Sequence, residues 1–270
     1  MTNTTSGSGI TFSNVSRTFK RADGQVVTAV DHVSAHVREG EFVCFVGPSG
    51  CGKTTLLQMV SGLLTTSDGA ISVGSKAISG PGPDRGFVFQ KDSVFPWMRV
   101  IDNVEYGLKQ RGVSARTRRQ TAERYLRLVG LSHVAGAWPK ELSGGMLKRV
   151  AIATVFANGS DVLLLDEPFG ALDYVTKRQL HDVLLDLWAD APGGRRRTVL
   201  FVTHDVDEAL LLADRIVVIK EGRLVDDIDV DAVRPRNTDT LASPEVLEIK
   251  HKLLAHLGLE RPRRTDGRAA

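Results

Sequence analysis

Two hydrophobic patterns run along this chain. ITFSNVSRTF (residues 10–19) and VVTAVDHVSAHV (26–37) alternate in places between apolar and polar positions and carry β-branched residues, which predicts strands. EFVCFVG (41–47) and DVLLLDEP (161–168) are short continuous apolar runs, as expected of strands buried on both faces of a sheet. AISVGSKAI (70–78), RGFVFQ (85–90) and TVLFVTHD (198–205) read as further strands, and IVVIKEGRLVDDID (216–229) as a hairpin turning at Glu221 and Gly222. Helical spacing marks VIDNVEYGLKQRG (100–112), ARTRRQTAERYLRLVGL (115–131) and the stretch after Ser143. It also marks KRQLHDVLLDLWADA (177–191, stopped by PGG), DEALLLADR (207–215) and PEVLEIKHKLLAHLGL (244–259).

Strands alternating with helices predict an α/β fold with a mostly parallel sheet. The block from about 92 to 145 is helical and poor in strands, so it is expected to be a subdomain inserted into that sheet. The Ser/Thr/Gly-rich residues 1–9 and the tail 261–270 are expected to be disordered.

Candidate chemistry begins between the first continuous apolar run and the next apolar segment. Gly47, Pro48, Ser49, Gly50, Cys51, Gly52, Lys53, Thr54 and Thr55 satisfy the pattern G-x-x-x-x-G-K-[ST]. The glycines let backbone N–H groups turn inward around an anion, and a helix opening at Lys53 directs its positive end to the same place. Lys53 is placed to reach the β- and γ-phosphates of a nucleoside triphosphate, and Thr54 to ligate Mg2+. Asp166 and Glu167 end the apolar strand VLLLDE, where carboxylates lie beside the phosphates. Asp166 suits a second contact to Mg2+ through water, and Glu167 is placed to polarise an attacking water. Ser143, Gly144 and Gly145 open another helix and form a second anion-binding terminus. One site needs only one such cradle. The economical arrangement is a head-to-tail homodimer, in which the Ser143 loop of one copy covers the nucleotide held by the other.

Taken in order, GPSGCGKTT, FQ (89–90), LSGGM, LLLDEPFGALD and TVLFVTHD resemble the nucleotide-binding subunit of an ABC transporter, over about residues 10–230. The resemblance implies a P-loop NTPase of the ABC type. Its mostly parallel core sheet would be joined by an antiparallel N-terminal β subdomain and the inserted helical one, within an ATPase domain of 10–240 and before a helical appendage of 241–260. It implies that Gln90 senses Mg2+ and the γ-phosphate and connects to a membrane partner, that Asp173 crosses a dimer interface, that His204 contacts the γ-phosphate, and that adenine stacks on Phe19. The cofactors implied are ATP and Mg2+. The signature departs from the usual pattern at Met146, where glutamine is common; the serine and glycines are intact.

FPW (95–97) after Gln90, together with LSGGM and DEPFGALD, resembles the nitrate/sulfonate/taurine group of ABC importers. That group works with an integral membrane permease and, indirectly, an extracytoplasmic solute-binding protein. The apolar loop of Phe95, Pro96, Trp97 and Met98 is either core or a socket for a permease helix.

Composition narrows the setting. The length of 270 residues allows one large domain or two small ones. A net charge of +3 is too weak to argue for a nucleic-acid partner. No run approaches the roughly 20 apolar residues of a membrane helix, and MTNTTSGSG lacks the features of a secretory signal. A cytoplasmic chain is therefore expected, and the resemblance implies a peripheral place on the cytoplasmic face of the membrane. Cys44 reads as a buried strand residue and Cys51 as a loop residue, and neither sits at metal-ligand spacing. Two alternatives remain: a P-loop small-molecule kinase, which needs no Ser143 cradle, and a soluble ABC ATPase without a permease.

Overall fold

The computed structural model describes residues 7–91, 94–170, 172–189 and 194–259. Most of the two termini expected to be disordered therefore lies outside the described residues, as do Pro192 and Gly193 of the expected helix stop.

A six-stranded sheet forms the centre. Its order is β10 (Arg223–Asp229), β9 (Arg215–Lys220), β3 (Phe42–Val46), β8 (Thr198–Thr203), β7 (Val162–Asp166) and β6 (Arg85–Val88). β9, β3, β8, β7 and β6 are parallel, and β10 returns antiparallel at one edge. The β9–β10 hairpin turns where expected, with Glu221 and Gly222 both at positive φ, 50° and 79°. Two consecutive positive φ values suit the turns that match strand twist in hairpins.

Every residue of β3 and β7 is buried. Alternate residues enter two different cores. Phe42, Cys44 and Val46 of β3, with Leu163 and Leu165 of β7 and Val199 and Phe201 of β8, face the helices of one layer. Val43, Phe45, Val162, Leu164, Leu200 and Val202 face the other. The continuous apolar runs in the sequence thus reflect a period-2 strand covered on both sides.

The second core is closed by helix α1 (Lys53–Ser61) and by an antiparallel sheet of order β2 (Val26–Val37), β1 (Ile10–Lys20), β4 (Asp68–Val73) and β5 (Lys76–Ala77). The first core carries the helical subdomain. Helices α2 (Val100–Gln110) and α3 (Ala115–Leu128) pack on α4 (Gly144–Ala157), which also reaches β6 and the helix after β7, α5 (Tyr174–Ala189). On the same side are α6 (Val206–Leu212), the short α7 (Thr238–Leu241), which the sequence pattern did not predict, and α8 (Pro244–His256). α8 buries Val246 and Leu253 and is tied to the body by Lys250–Asp207 (2.6 Å), Lys252–Asp226 (2.9 Å) and His256–Asp226 (2.7 Å). Cys44 and Cys51 are both free and buried.

Glu41, just before β3, clamps the ends of several strands. Its Oε1 accepts from Arg215 Nε (2.8 Å) and Arg38 Nη2 (3.0 Å), and its Oε2 from the Arg38 backbone N–H (2.7 Å). Arg215 also reaches Asp227 of β10. Burial pushes the Glu41 carboxyl up, but Arg215 and Arg38 outweigh it and hold it below the usual glutamate value. The stabilisation from this group is therefore complete above the unfolded-state value of about 4.3 and is lost as pH falls through the folded-state value. Urea denaturation at a series of acid pH values should show stability falling more steeply for the wild-type chain than for Glu41→Gln. Parallel declines would remove this role.

Candidate functional site

The site forms at the carboxyl ends of β3, β7 and β8. β3 runs into the loop 47–52, and α1 opens at Lys53, as the sequence predicts. Gly47 packs so closely on β9 that a Cβ there would lie 2.1 Å from the Ile219 carbonyl oxygen. Gly52 has φ +105°, and a Cβ there would lie 2.3 Å from the Ala29 carbonyl oxygen of β2. Only glycine fits both positions. No side chain caps the start of α1 and its first turn holds no acid, so its first N–H groups and helix dipole are available to an anion. Lys53 Nζ is buried and donates to the Gly47 and Pro48 carbonyls, both at 2.8 Å, which bends the side chain back over the loop.

Thr54, one residue on, donates its hydroxyl to Asp166 Oδ1 at 3.0 Å, joining α1 to the end of β7. Burial pushes the Asp166 carboxyl up from its usual value, and the neighbouring Glu167 charge adds to this; Thr54, Lys53 and Lys148 oppose it.

Glu167 has φ +42°, in the left-handed region. A non-glycine residue there carries strain of order 1–3 kcal/mol and persists only when its surroundings enforce it. Its N–H is held by the Val202 carbonyl (3.0 Å) and its carbonyl by the Gly170 N–H (3.1 Å). This turn aims the side chain at two other predicted residues. Gln90 Nε2 donates to Glu167 Oε2 at 3.1 Å, and His204 Nδ1 lies 3.2 Å from the same oxygen. Gln90, Glu167 and His204 come from chain positions far apart and meet at one carboxylate.

β6 stops at Val88, so Gln90 stands on a loop beyond the strand. Lys148 of α4 donates to the Gln90 backbone carbonyl, fixing that loop to the helix that starts at Ser143. The sequence reading missed Lys148. It also missed Asn103, whose buried side-chain amide accepts from the Phe95 N–H (2.7 Å) and donates to the Phe95 and Met98 carbonyls (both 3.1 Å). Asn103 thereby cages the 95–98 loop, with Phe95 against Tyr106 (4.8 Å) and Trp97 67% exposed. Neither residue has a local sequence signal, since each acts by where the fold places it.

The remaining predicted residues lie apart from the P-loop bonds. Ser143 caps α4 by accepting from Met146 N–H (3.3 Å). A Cβ on Gly144 would meet nothing within 4 Å, whereas one on Gly145 would strike Thr176. Asp173 caps α5 by accepting from Thr176 N–H (3.0 Å), and the Thr176 side chain together with that N–H holds its carboxyl below the usual value. Ser143, Gly144 and Asp173 are all exposed. Phe19 is exposed on β1, beneath the Arg17 guanidinium (4.8 Å), and pairs in register with Val27 of β2, the strand that touches Gly52. Phe12, the other aromatic of β1, is buried against Phe45.

This arrangement of an uncapped glycine loop, a lysine, and a hydroxyl–carboxylate pair on an α/β sheet defines a P-loop nucleotide-binding protein. Comparison with known proteins is more specific. The ABC transporter family model matches residues 30–170. The taurine import ATP-binding protein TauB of Rhizobium johnstonii is 46% identical over 87% of this chain and 90% of that protein. The nitrate import ATP-binding protein NrtD of Synechocystis is 48% identical over 76% of each. A dimeric post-hydrolysis structure of the ATP-binding cassette MJ0796, bound to ADP and Pi, superposes with a TM-score of 0.73 at 30% identity, covering 83% of this chain and all of that one. The chain belongs to the ABC transporter family, as an ATP-binding cassette with ATPase activity.

Gly47→Ala should abolish nucleotide binding, because the added methyl cannot enter without displacing β9 or the loop. Fluorescent-ATP titration checks this. Binding within about twofold of wild type, well under the tenfold that ~1.4 kcal/mol represents, would show that the loop is not the phosphate site.

Proposed function

We propose that this chain is the ATP-hydrolysing subunit of an ABC importer, acting on the cytoplasmic face of the membrane for nitrate, taurine, another sulfonate or a similar small solute. The observation that carries the coupling to a permease is a groove of about 1040 Å³ beside the site. It is lined both by Phe95, Pro96 and Trp97 of the aromatic loop and by Gln90, Glu167 and His204. An apolar helix seated on the rigid aromatic loop would touch the segment that carries Gln90. Aromatic residues are favoured at the centre of such interfaces. Among the described residues no helix is long and apolar enough to cross a membrane, so a spanning segment would come from a partner. The names of the taurine and nitrate relatives support the solute class.

The nucleotide would sit with its phosphates on the 47–54 loop, Lys53 turning from the Gly47 and Pro48 carbonyls toward them, and its base against Phe19. Among the described residues no group of three or more His, Cys, Asp and Glu side chains could hold a metal alone. The oxygen donors Thr54 and Asp166 nevertheless suit Mg2+, which commonly takes one or two protein oxygens together with substrate phosphates. When bound, Mg2+ would neutralise charge developing on the phosphates.

Ser143 and Gly144, exposed and unconnected to their own P-loop by any described bond, would cover the nucleotide of a second copy, with Asp173 crossing between them. Closure of the two copies would move the Gln90 segments and hence the permease. Glu167, oriented by Gln90 and His204, would take the proton of the attacking water. Hydrolysis would then open the pair and reset the permease.

Glu167→Gln should slow hydrolysis by ~10²–10⁴-fold and hold an ATP-bound dimer on size exclusion. Used as bait with ATP in detergent-solubilised native membranes, this variant should recover a multi-span protein, and Trp97→Ala in the same background should lose it. Recovery of no membrane protein, or recovery that ignores Trp97, would contradict the coupling.

A further inference from the structure

His204 is 62% exposed and its only described side-chain bond is to Glu167. Something other than its own packing must hold it there. The residues on either side of it are buried or half-buried and bound to one polar cluster. Thr203 Oγ1 accepts from the Asp205 N–H at 3.0 Å and donates to Glu208 Oε2 at 2.5 Å. Asp205 Oδ1 accepts from the Asp207 and Glu208 N–H groups, capping α6. Lys177 Nζ, from α5, lies 3.0 Å from Asp205 Oδ2 and 3.1 Å from Glu208 Oε1. His181, one turn along α5 and buried against Phe169, brings Nε2 to 3.6 Å from Glu208 Oε1.

A buried ion pair is a weak source of stability, because removing two charges from water offsets much of their attraction. Such a pair has a clearer use in fixing one geometry. Here it grips the side chains of both residues flanking His204, Thr203 through Glu208 and Asp205 through Lys177. It also ties them to α5 within one turn of Asp173, since the Lys177 N–H donates to the Asp173 carbonyl at 2.9 Å. Burial works against the Glu208 carboxylate, yet His181, Thr203 and Lys177 together hold its carboxyl below the usual value.

We propose that Glu208 and Lys177 are positioning residues for hydrolysis: through Thr203 and Asp205 they set His204 against Glu167 and link it mechanically to the Asp173 end of α5. The inference rests on the reading of His204 in the nucleotide site. It adds a route by which a contact at Asp173, where a second copy would meet this one, reaches the reacting end of the site.

Steady-state ATPase assays on the full chain test it, with His204→Ala and Glu208→Gln made singly and together. Glu208→Gln should lower kcat by about tenfold while KM for ATP stays within about twofold, the pattern of an interaction lost from the reacting state. In the His204→Ala background it should cost nothing further, since residues acting through one another are not additive. An equal loss in both backgrounds, or a rise in KM alone, would overturn the proposal. If His204→Ala by itself leaves kcat unchanged, the reading of the nucleotide site fails and this inference with it. If His204→Ala lowers kcat and Glu208→Gln does not, only the positioning role fails. Should Glu208→Gln not fold, Lys177→Met must lower kcat and Lys177→Arg, which keeps the charge, must restore most of it. Wild-type kcat in Lys177→Met, or no rescue by arginine, would equally reject the proposal.

Discussion

The constraint on which everything else depends is that β3, β7 and β8 are covered on both faces. With alternate side chains committed to two separate cores, none of these strands can slip by one residue without exchanging its core faces. Their carboxyl ends are therefore fixed relative to one another. The candidate site residues leave the sheet there: the 47–52 loop from β3, Asp166 and Glu167 from β7, and His204 from β8. The Thr54–Asp166 hydrogen bond is a direct consequence, because it joins the helix after one of these strands to the end of another.

On that fixed edge the residues divide into two groups. The 47–54 loop with Asp166 is built from local geometry: Gly47 and Gly52, where no side chain fits, a helix start left uncapped, and a lysine kept close. The group around Glu167 is built from distant contacts. A strained backbone aims the carboxylate, Gln90 arrives from a loop held by Lys148, and His204 arrives on a turn gripped by the Glu208–Lys177 pair. The first group reads as a holding device. The second, with long reach into α4, α5 and the aromatic loop, is suited to passing a change in one place to another.

Much of this was legible in the sequence. The parallel sheet followed from strands alternating with helices, the β9–β10 hairpin from Glu221-Gly222, and the start of α1 from the glycine loop. What stayed hidden depends on long-range placement. Asn103 is an ordinary polar residue of an amphipathic helix until the fold sets the 95–98 loop over it. Glu208, Lys177 and Thr203 have no shared spacing to mark them. The positive φ of Glu167 comes from the bonds to Val202 and Gly170, and no propensity of glutamate would suggest it. Helix α7, with four residues, is too short to show a period.

The central claim is that the nucleotide site is completed by a second copy, and a mixing assay tests it most directly. Lys53→Ala damages the P-loop, and Gly144→Ala adds a methyl where this chain leaves open space, so its own fold should be undisturbed. Each variant alone should hydrolyse ATP poorly. An equimolar mixture should regain activity, because a mixed pair joins the intact P-loop of one copy to the intact Ser143 loop of the other. A mixture no more active than its separate components would contradict the account.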